Sequence, residues 1–234
     1  MLKLIAFDAD DTLWHNENIY AMGRERFNEI LTRYAPDADV NARLDQTELR
    51  NLKYYGYGVM SFTFSLIESA IELTSGKISA QDIKALLDLS KEMITFEVQL
   101  FDEVENTLKA LSETYPLMLI TKGDLLHQQS KIARSGVRDY FRFIEIVSDK
   151  SRETYAEIIG RHKLNASSFL MVGNSLRSDI LPVLELGGWG VYIPNDLTWS
   201  HEMSDPPSGY DGRYIELERL ELVPELINRI KQET

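Results

Sequence analysis

From about residue 102 to residue 230 the sequence alternates short apolar runs with amphipathic stretches, and this alternation constrains the fold more than any other feature. Strand-like runs fall at 117–121, 143–147, 169–172, 190–193 and 214–217, and helix-like stretches at about 125–135, 153–162, 180–186 and 222–230. A further helix reaches to about residue 114, with Asp102 and Glu105 as its N-terminal capping pair. Strands alternating with helices of about 10–15 residues predict right-handed crossovers and a doubly wound parallel sheet, an α/β fold. Residues 194–212, rich in Pro, Asp and Ser, read as a surface loop.

One more strand lies far upstream. Residues 2–7 form a short apolar run that stops at Asp8-Ala9-Asp10-Asp11-Thr12, the pattern of a strand buried on both faces. Between them, residues 16–100 carry apolar side chains at helical spacing: Ile19, Met22, Phe27, Ile30, Leu31 and Tyr34; then Phe62, Leu66, Ile67, Ala70, Ile71 and Leu73; then Ile83, Leu86, Leu87, Leu89, Met93 and Ile94. This block interrupts the α/β domain after its first strand. The expected organisation is a discontinuous core of residues 1–15 and 101–234 with an all-helical domain inserted at 16–100.

Composition removes several functions. The 234 residues include 25 basic and 37 acidic side chains, a formal charge of −12, and the basic residues are interspersed with acidic ones, so no clustered surface for a nucleic-acid backbone is expected. The absence of cysteine rules out disulfides, zinc–thiolate sites, iron–sulfur clusters and thiol nucleophiles. No stretch approaches the roughly 20 apolar residues of a membrane span, and residues 1–8 lack the pattern of a secretory signal. A cytoplasmic protein is expected.

In an open parallel sheet ligands bind beyond the carboxyl ends of the strands. Polar clusters fall at four such ends: Asp8, Asp10 and Thr12; Thr121, Lys122, Gly123 and Asp124; Asp149 and Lys150; Gly173, Asn174, Ser175 and Asp179. Two carboxylates one residue apart repel each other unless a cation lies between them. Mg²⁺ suits such a place, taking hard oxygens from one or two carboxylates, waters and a substrate phosphate. One aspartate could then attack phosphorus and the other exchange protons with the leaving group and water, while a hydroxyl, an amide and a lysine bind phosphoryl oxygens.

Phe7-Asp8-Ala9-Asp10-Asp11-Thr12-Leu13 resembles the Asp-x-Asp-x-Thr signature of the haloacid dehalogenase-like hydrolase superfamily. The likeness extends along the chain: Leu119-Ile120-Thr121 is similar to the second motif, Lys150 to the third, and Val172-Gly173-Asn174-Ser175 with Asp179 to the fourth. It implies a Rossmann-like core with a helical cap, and Mg²⁺-dependent hydrolysis of a small phosphorylated metabolite through an aspartyl-phosphate. By the same resemblance Asp8 is the nucleophile and a metal ligand, and Asp10 the general acid/base with its carbonyl on the metal. Thr121 and the Lys122 amide hold the phosphoryl group, Lys150 neutralises charge, and Asn174 and Asp179 complete the metal site. The family's fourth motif commonly begins Gly-Asp; Gly173-Asn174 departs from it and removes one negative charge. Asp10 favours a phosphatase over a dehalogenase, which lacks an acid/base aspartate there.

Other readings stand beside this one. A carbon–halogen hydrolase, a phosphonate hydrolase using Lys53 as a Schiff-base lysine, and a non-catalytic phosphometabolite-binding protein are the alternatives. Asp8 and Asp10 could be turn residues, Lys150 a surface lysine at a helix start, and Asn174 and Ser175 a cap. Asp124 and Asp149 read as caps or supporting groups. The glycines at 56, 58, 187, 188 and 190 read as turns, most of the four histidines as surface residues, and the aromatic run 54–62 as helical packing or a substrate-facing wall.

Overall fold

The computed structural model describes residues 1–197, 199–202, 204–210 and 212–233. The chain opens with β1 (Leu4–Phe7), followed by four helices, α1 (Glu17–Leu31), α2 (Val40–Tyr55), α3 (Val59–Leu73) and α4 (Ala80–Thr95). Next come α5 (Val104–Ser112), β2 (Leu117–Lys122), α6 (Leu125–Arg134), β3 (Phe141–Val147) and α7 (Arg152–Arg161). The chain closes with β4 (Phe169–Gly173), α8 (Leu181–Glu185), β5 (Trp189–Tyr192), β6 (Tyr214–Glu216) and α9 (Val223–Glu233). Two compact units result: Met1–Glu17, Val98–Thr121 and Gln128 onward form one, and Asn18–Glu97 with Lys122–His127 the other.

In the first unit six strands form one sheet in the order β3-β2-β1-β4-β5-β6. Parallel pairing sets Ile5 against both Leu117 and Leu170. The central strand is buried throughout, and its alternation divides two cores. Ile5 and Phe7 point into a layer shared with Leu119, Val172, Leu108 of α5 and Leu226 and Ile230 of α9. Leu4 and Ala6 point the other way, into a layer with Ile120, Met171, Tyr155 and Ile158 of α7 and Val183 of α8. The fold is therefore α/β and doubly wound. Strand order reverses between β1 and β4, and an open sheet of this kind has its ligand crevice outside the carboxyl ends of those strands.

Two local features differ from the sequence expectation. Asp102 and Glu105 do not cap α5: its N-cap is Glu103, held left-handed at φ 63° with no side-chain cap hydrogen bond. The helix expected from residue 180 begins at Leu181, preceded by one π turn, Leu176–Ile180, in which Ser175 caps the Ser178 amide. Of the four histidines three are partly exposed, in keeping with the expectation for most of them, and His127 is buried. Of the expected 194–212 loop, positions 198, 203 and 211 lie outside the described residues; the described part holds one 3₁₀ turn, Ser200–Glu202.

The helical unit has its own core, built from Ile19, Phe27, Leu31, Leu44, Phe62, Leu66, Ala70, Leu86 and Met93. The sequence shows three apolar sets where the structure has four helices. The unmarked helix is α2, because two of its four buried positions are the polar Thr47 and Asn51. Asn51 Nδ2 is satisfied by Ser65 Oγ at 3.1 Å and Glu68 Oε2 at 2.8 Å. The aromatic run divides: Val59 and Phe62 are core, whereas Tyr54 is 68% exposed. Residues 122–127 join this unit through Asp124, whose carboxylate caps α3 by accepting from the Met60 amide at 3.0 Å. Gly58 sits at φ 121° against that carboxylate, where a Cβ would collide with it. Among the described residues, no helix is long and apolar enough to cross a membrane.

Candidate active site

The end of β1 is locked to β4, since the Asp8 amide donates to the Val172 carbonyl at 2.9 Å. The Asp8 carboxylate is buried and accepts from Thr12 Oγ1 at 3.1 Å on Oδ2 and from Lys150 Nζ on Oδ1. Lys150 enters just before Ser151, the N-cap of α7, and is buried rather than on the surface. Its ammonium also donates to Asp179 Oδ1 at 2.6 Å. Asp179 comes from the π turn, and its other oxygen accepts from the Ser175 amide at 3.0 Å. That carboxylate lies directly against Gly173, where any side chain would displace it. Thr12 Oγ1 is also 3.2 Å from Asn174 Oδ1, with Asn174 itself buried. Asp8, Lys150, Asn174 and Asp179 are thus joined in one network, with Thr12 and Lys150 as its links.

Asp10 faces other partners. Trp14 Nε1 donates to Oδ1 at 2.6 Å, Gln128 Nε2 to Oδ2 at 3.0 Å, and Lys131 Nζ to both oxygens at 2.6 and 2.7 Å. Gln128 Nε2 also reaches Thr121 Oγ1 at 2.5 Å, so Thr121 at the end of β2 is tied to Asp10 through one amide. Lys122, the next residue, sends its ammonium 3.9 Å from the centre of the Tyr57 ring. Asp149 accepts from the Lys150 amide at 2.9 Å. Asp11, left-handed at φ 61°, accepts from the amides of Asn16 and Glu17 where α1 begins. Lys53 is exposed, with its ammonium over Tyr54.

The two aspartates feel different fields. Burial pushes the Asp8 carboxyl up; Lys150 opposes this, Asp179 adds to it, and the result is about 7. Burial also acts on Asp10, but the Lys131 ammonium, with hydrogen bonds from Lys131, Gln128 and Trp14, outweighs it and leaves this carboxyl below the usual range. Burial works against the Lys150 ammonium, yet Asp179 and Asp8 overcompensate and hold it charged. Beside them the Tyr155 hydroxyl is buried with no hydrogen-bond partner.

The donor set fits a hard dication. The Asp8 and Asp179 carboxylates share the single Lys150 ammonium, and burial first, then Asp179, raises the Asp8 pKa; a bound cation would offset both effects. Available donors are carboxylate and amide oxygens, and the chain has no cysteine. Among the described residues no three acidic or imidazole side chains converge on one point, so a cation here would take at most two carboxylates together with neutral oxygens.

Several side chains in these networks were not among the site residues expected from sequence. Thr12 stands with Asp8 and Asp10 in the polar cluster that the sequence marks after the first strand, but carries no assigned role there. Gln128 and Lys131 lie three apart on α6, hence on one face. That face is buried and mostly polar, with Ile132 beside Gln128 and Lys131, while Leu126 of the same helix is 81% exposed. Apolar periodicity points the wrong way there; the useful signal was a helix starting directly beyond a strand end. Glu202 accepts from Ser175 Oγ at 2.7 Å and from Ser178 Oγ, bracing the π turn, with no sequence cue.

Comparison with known proteins agrees with this architecture. The model of the haloacid dehalogenase-like hydrolase family matches residues 2–187. The chain is 38% identical to a haloacid dehalogenase-like family hydrolase of Xanthomonas campestris, with a TM-score of 0.89 over 99% of this chain and 93% of that one. It is 24% identical over 228 residues to glyceraldehyde 3-phosphate phosphatase of Methanothermobacter thermautotrophicus, covering 92% of this chain and 96% of the relative. It is also 24% identical to the 5-amino-6-(5-phospho-D-ribitylamino)uracil phosphatase YigB of Escherichia coli, covering 97% and 96%.

Proposed function

Because the chain belongs to the haloacid dehalogenase-like hydrolase family, we propose that it is a Mg²⁺-dependent phosphatase of a small phosphomonoester, working through an aspartyl-phosphate. The observation that carries this reading is the separation of two neighbouring carboxylates onto different cations, Asp8 with Lys150 and Asp10 with Lys131. Groups held in such different environments are suited to different tasks. The phosphatases among the relatives support the same reaction class.

In the first step an Asp8 oxygen attacks phosphorus as the bond to the leaving oxygen breaks; Asp10, a carboxylate beside Lys131 before substrate binds, takes up a proton as the anionic phosphate arrives and passes it to that oxygen. In the second, water attacks phosphorus, its proton passes to Asp10, and the Asp8–phosphorus bond breaks to release phosphate. The Lys150 ammonium, the Thr121 hydroxyl and the Lys122 amide hold the phosphoryl oxygens where charge accumulates. The metal ligands in this reading are Asp8, the Asp10 carbonyl, Asn174 and Asp179. Bound there, Mg²⁺ would keep Asp8 ionised and offset phosphoryl charge. Residues 1–15 and 101–234 form the catalytic core, residues 16–100 the cap that selects substrate, and the enzyme works in the cytoplasm.

The test is release of phosphate from an aryl phosphate with and without Mg²⁺, in the wild type and in Asp8→Asn. Turnover by the wild type should require the cation and fall by several orders of magnitude in the variant, whose circular dichroism should be unchanged. Halide release from a 2-haloacid without phosphate release would overturn the reading.

A further inference from the structure

Lys131 is a lysine where a surface residue is expected. It sits on α6 with its side chain only 6% exposed, in contact with Asp10 and with Asn16 Oδ1 at 3.0 Å. A buried ammonium is costly, and one carboxylate seldom needs three donor side chains. Here Asp10 has them: Trp14 on Oδ1, Gln128 on Oδ2 and Lys131 on both oxygens. Rotating the carboxyl away would break four hydrogen bonds at once. Two of the three donors stand three residues apart on one helix face, so α6 acts as a rigid mount. The same Gln128 amide bonds Thr121, fixing the distance between the carboxylate and the end of β2.

We propose that Lys131, together with Gln128, is a positioning residue that holds the Asp10 carboxyl in line with the leaving oxygen of the substrate. The proposal rests on the phosphatase reading above. Lys131 touches neither the substrate nor phosphorus; it acts through Asp10. Its loss therefore affects the half of the reaction in which the leaving oxygen needs a proton, and affects it more the more basic that oxygen is. A lysine that merely staples α6 to the 10–16 loop would lower the rate for every substrate alike.

The experiment compares wild type with Lys131→Met on phenyl and p-nitrophenyl phosphate, two esters of similar shape whose leaving groups differ in basicity. kcat/KM reports transfer to Asp8, the first irreversible step. For the variant, kcat/KM should fall about 100-fold with phenyl phosphate and less than about threefold with p-nitrophenyl phosphate. Because water must also give up a proton to Asp10, p-nitrophenol should appear in a burst of one equivalent per enzyme before a slow steady state. If Lys131→Met does not fold, Gln128→Leu serves, with a smaller shift in the same direction expected. Equal losses of kcat/KM on both esters, no loss on either, or a smaller loss on phenyl phosphate overturns the positioning role. A wild type inactive on both esters overturns the phosphatase reading itself, and with it the role of Lys131.

Discussion

Asn174 stands where the resemblance to the family's fourth motif implies an aspartate. It is buried, and its side-chain oxygen lies 3.2 Å from Thr12 Oγ1, which also donates to Asp8. A neutral amide there leaves fewer formal charges for a cation, and hard cations gain most from anionic oxygen. Asn174→Asp should lower the Mg²⁺ concentration for half-maximal activity, and Asn174→Ala should raise it. Titration of phosphate release against Mg²⁺ at fixed ionic strength checks this; three coincident curves would remove Asn174 from the metal site. Tyr155 permits a second prediction. Its hydroxyl is buried without a partner, while its ring packs edge-on to Phe169 at 6.4 Å. An unsatisfied buried hydroxyl costs about 1–3 kcal/mol, so Tyr155→Phe should raise the melting temperature rather than lower it. Calorimetry of the purified variant measures the sign.

At the scale of elements, the start of α3 shows how a loop and a helix are made to agree. Asp124 supplies the cap that Gly58, without a side chain, cannot. Removing it in Asp124→Ala should cost about 1 kcal/mol of helical-unit stability, read from urea denaturation. Gly58→Ala should cost more, since the backbone is in the left-handed region and the new Cβ meets the same carboxylate. The two losses should add only in part in the double variant, because removing the carboxylate relieves part of the clash while the Asp124 backbone nitrogen stays 2.9 Å from the new Cβ. The π turn before α8 is another such fit. Its extra width returns Asp179 to the Ser175 amide and to Gly173, which an ordinary helix starting at Ile180 would not do.

The whole molecule carries separate hydrophobic cores, and each of its two units buries a carboxyl whose pKa rises to about 7 on folding, Asp8 in one and Glu48 in the other. In the helical unit Arg24 serves two carboxylates, Asp45 at 2.8 Å and Glu48. Burial raises the Glu48 pKa from 4.5 to about 7, with Arg24 opposing and Asp45 adding to the rise. A carboxyl whose pKa is raised on folding binds its proton more tightly in the folded state. Its stabilising contribution is complete below pH 4.5 and disappears as pH climbs towards 7. The helical unit should therefore lose up to about 3 kcal/mol between these limits, and Glu48→Gln should flatten the dependence. Chemical denaturation followed at pH 4.5, 6 and 7.5 tests it; a wild-type slope retained in the variant would place the titration elsewhere.

Local chemistry determined the succession of elements: apolar runs too short for helices became strands, and the spacing of Phe62, Leu66 and Ala70 became a buried helix face. It also determined where chemistry could occur, because parallel strands bring their carboxyl ends together, and Asp8, Thr121, Asn174 and Asp179 each follow or finish such a run. Tertiary structure decided the partnerships. Whether Asp10 shares a cation with Asp8 or takes its own depends on Lys131, 121 positions away, and on which face of α6 turns inward. Periodicity cannot show that, since it counts apolar side chains and this face is mostly polar, with Ile132 its one buried apolar residue among the described residues. Likewise α2 is hidden because its inward Thr47 and Asn51 are tolerated only once partners such as Ser65 have arrived. Local sterics and hydrophobic spacing act within a few residues and are written along the chain; satisfaction of a buried charge requires groups that become neighbours only when the layers close.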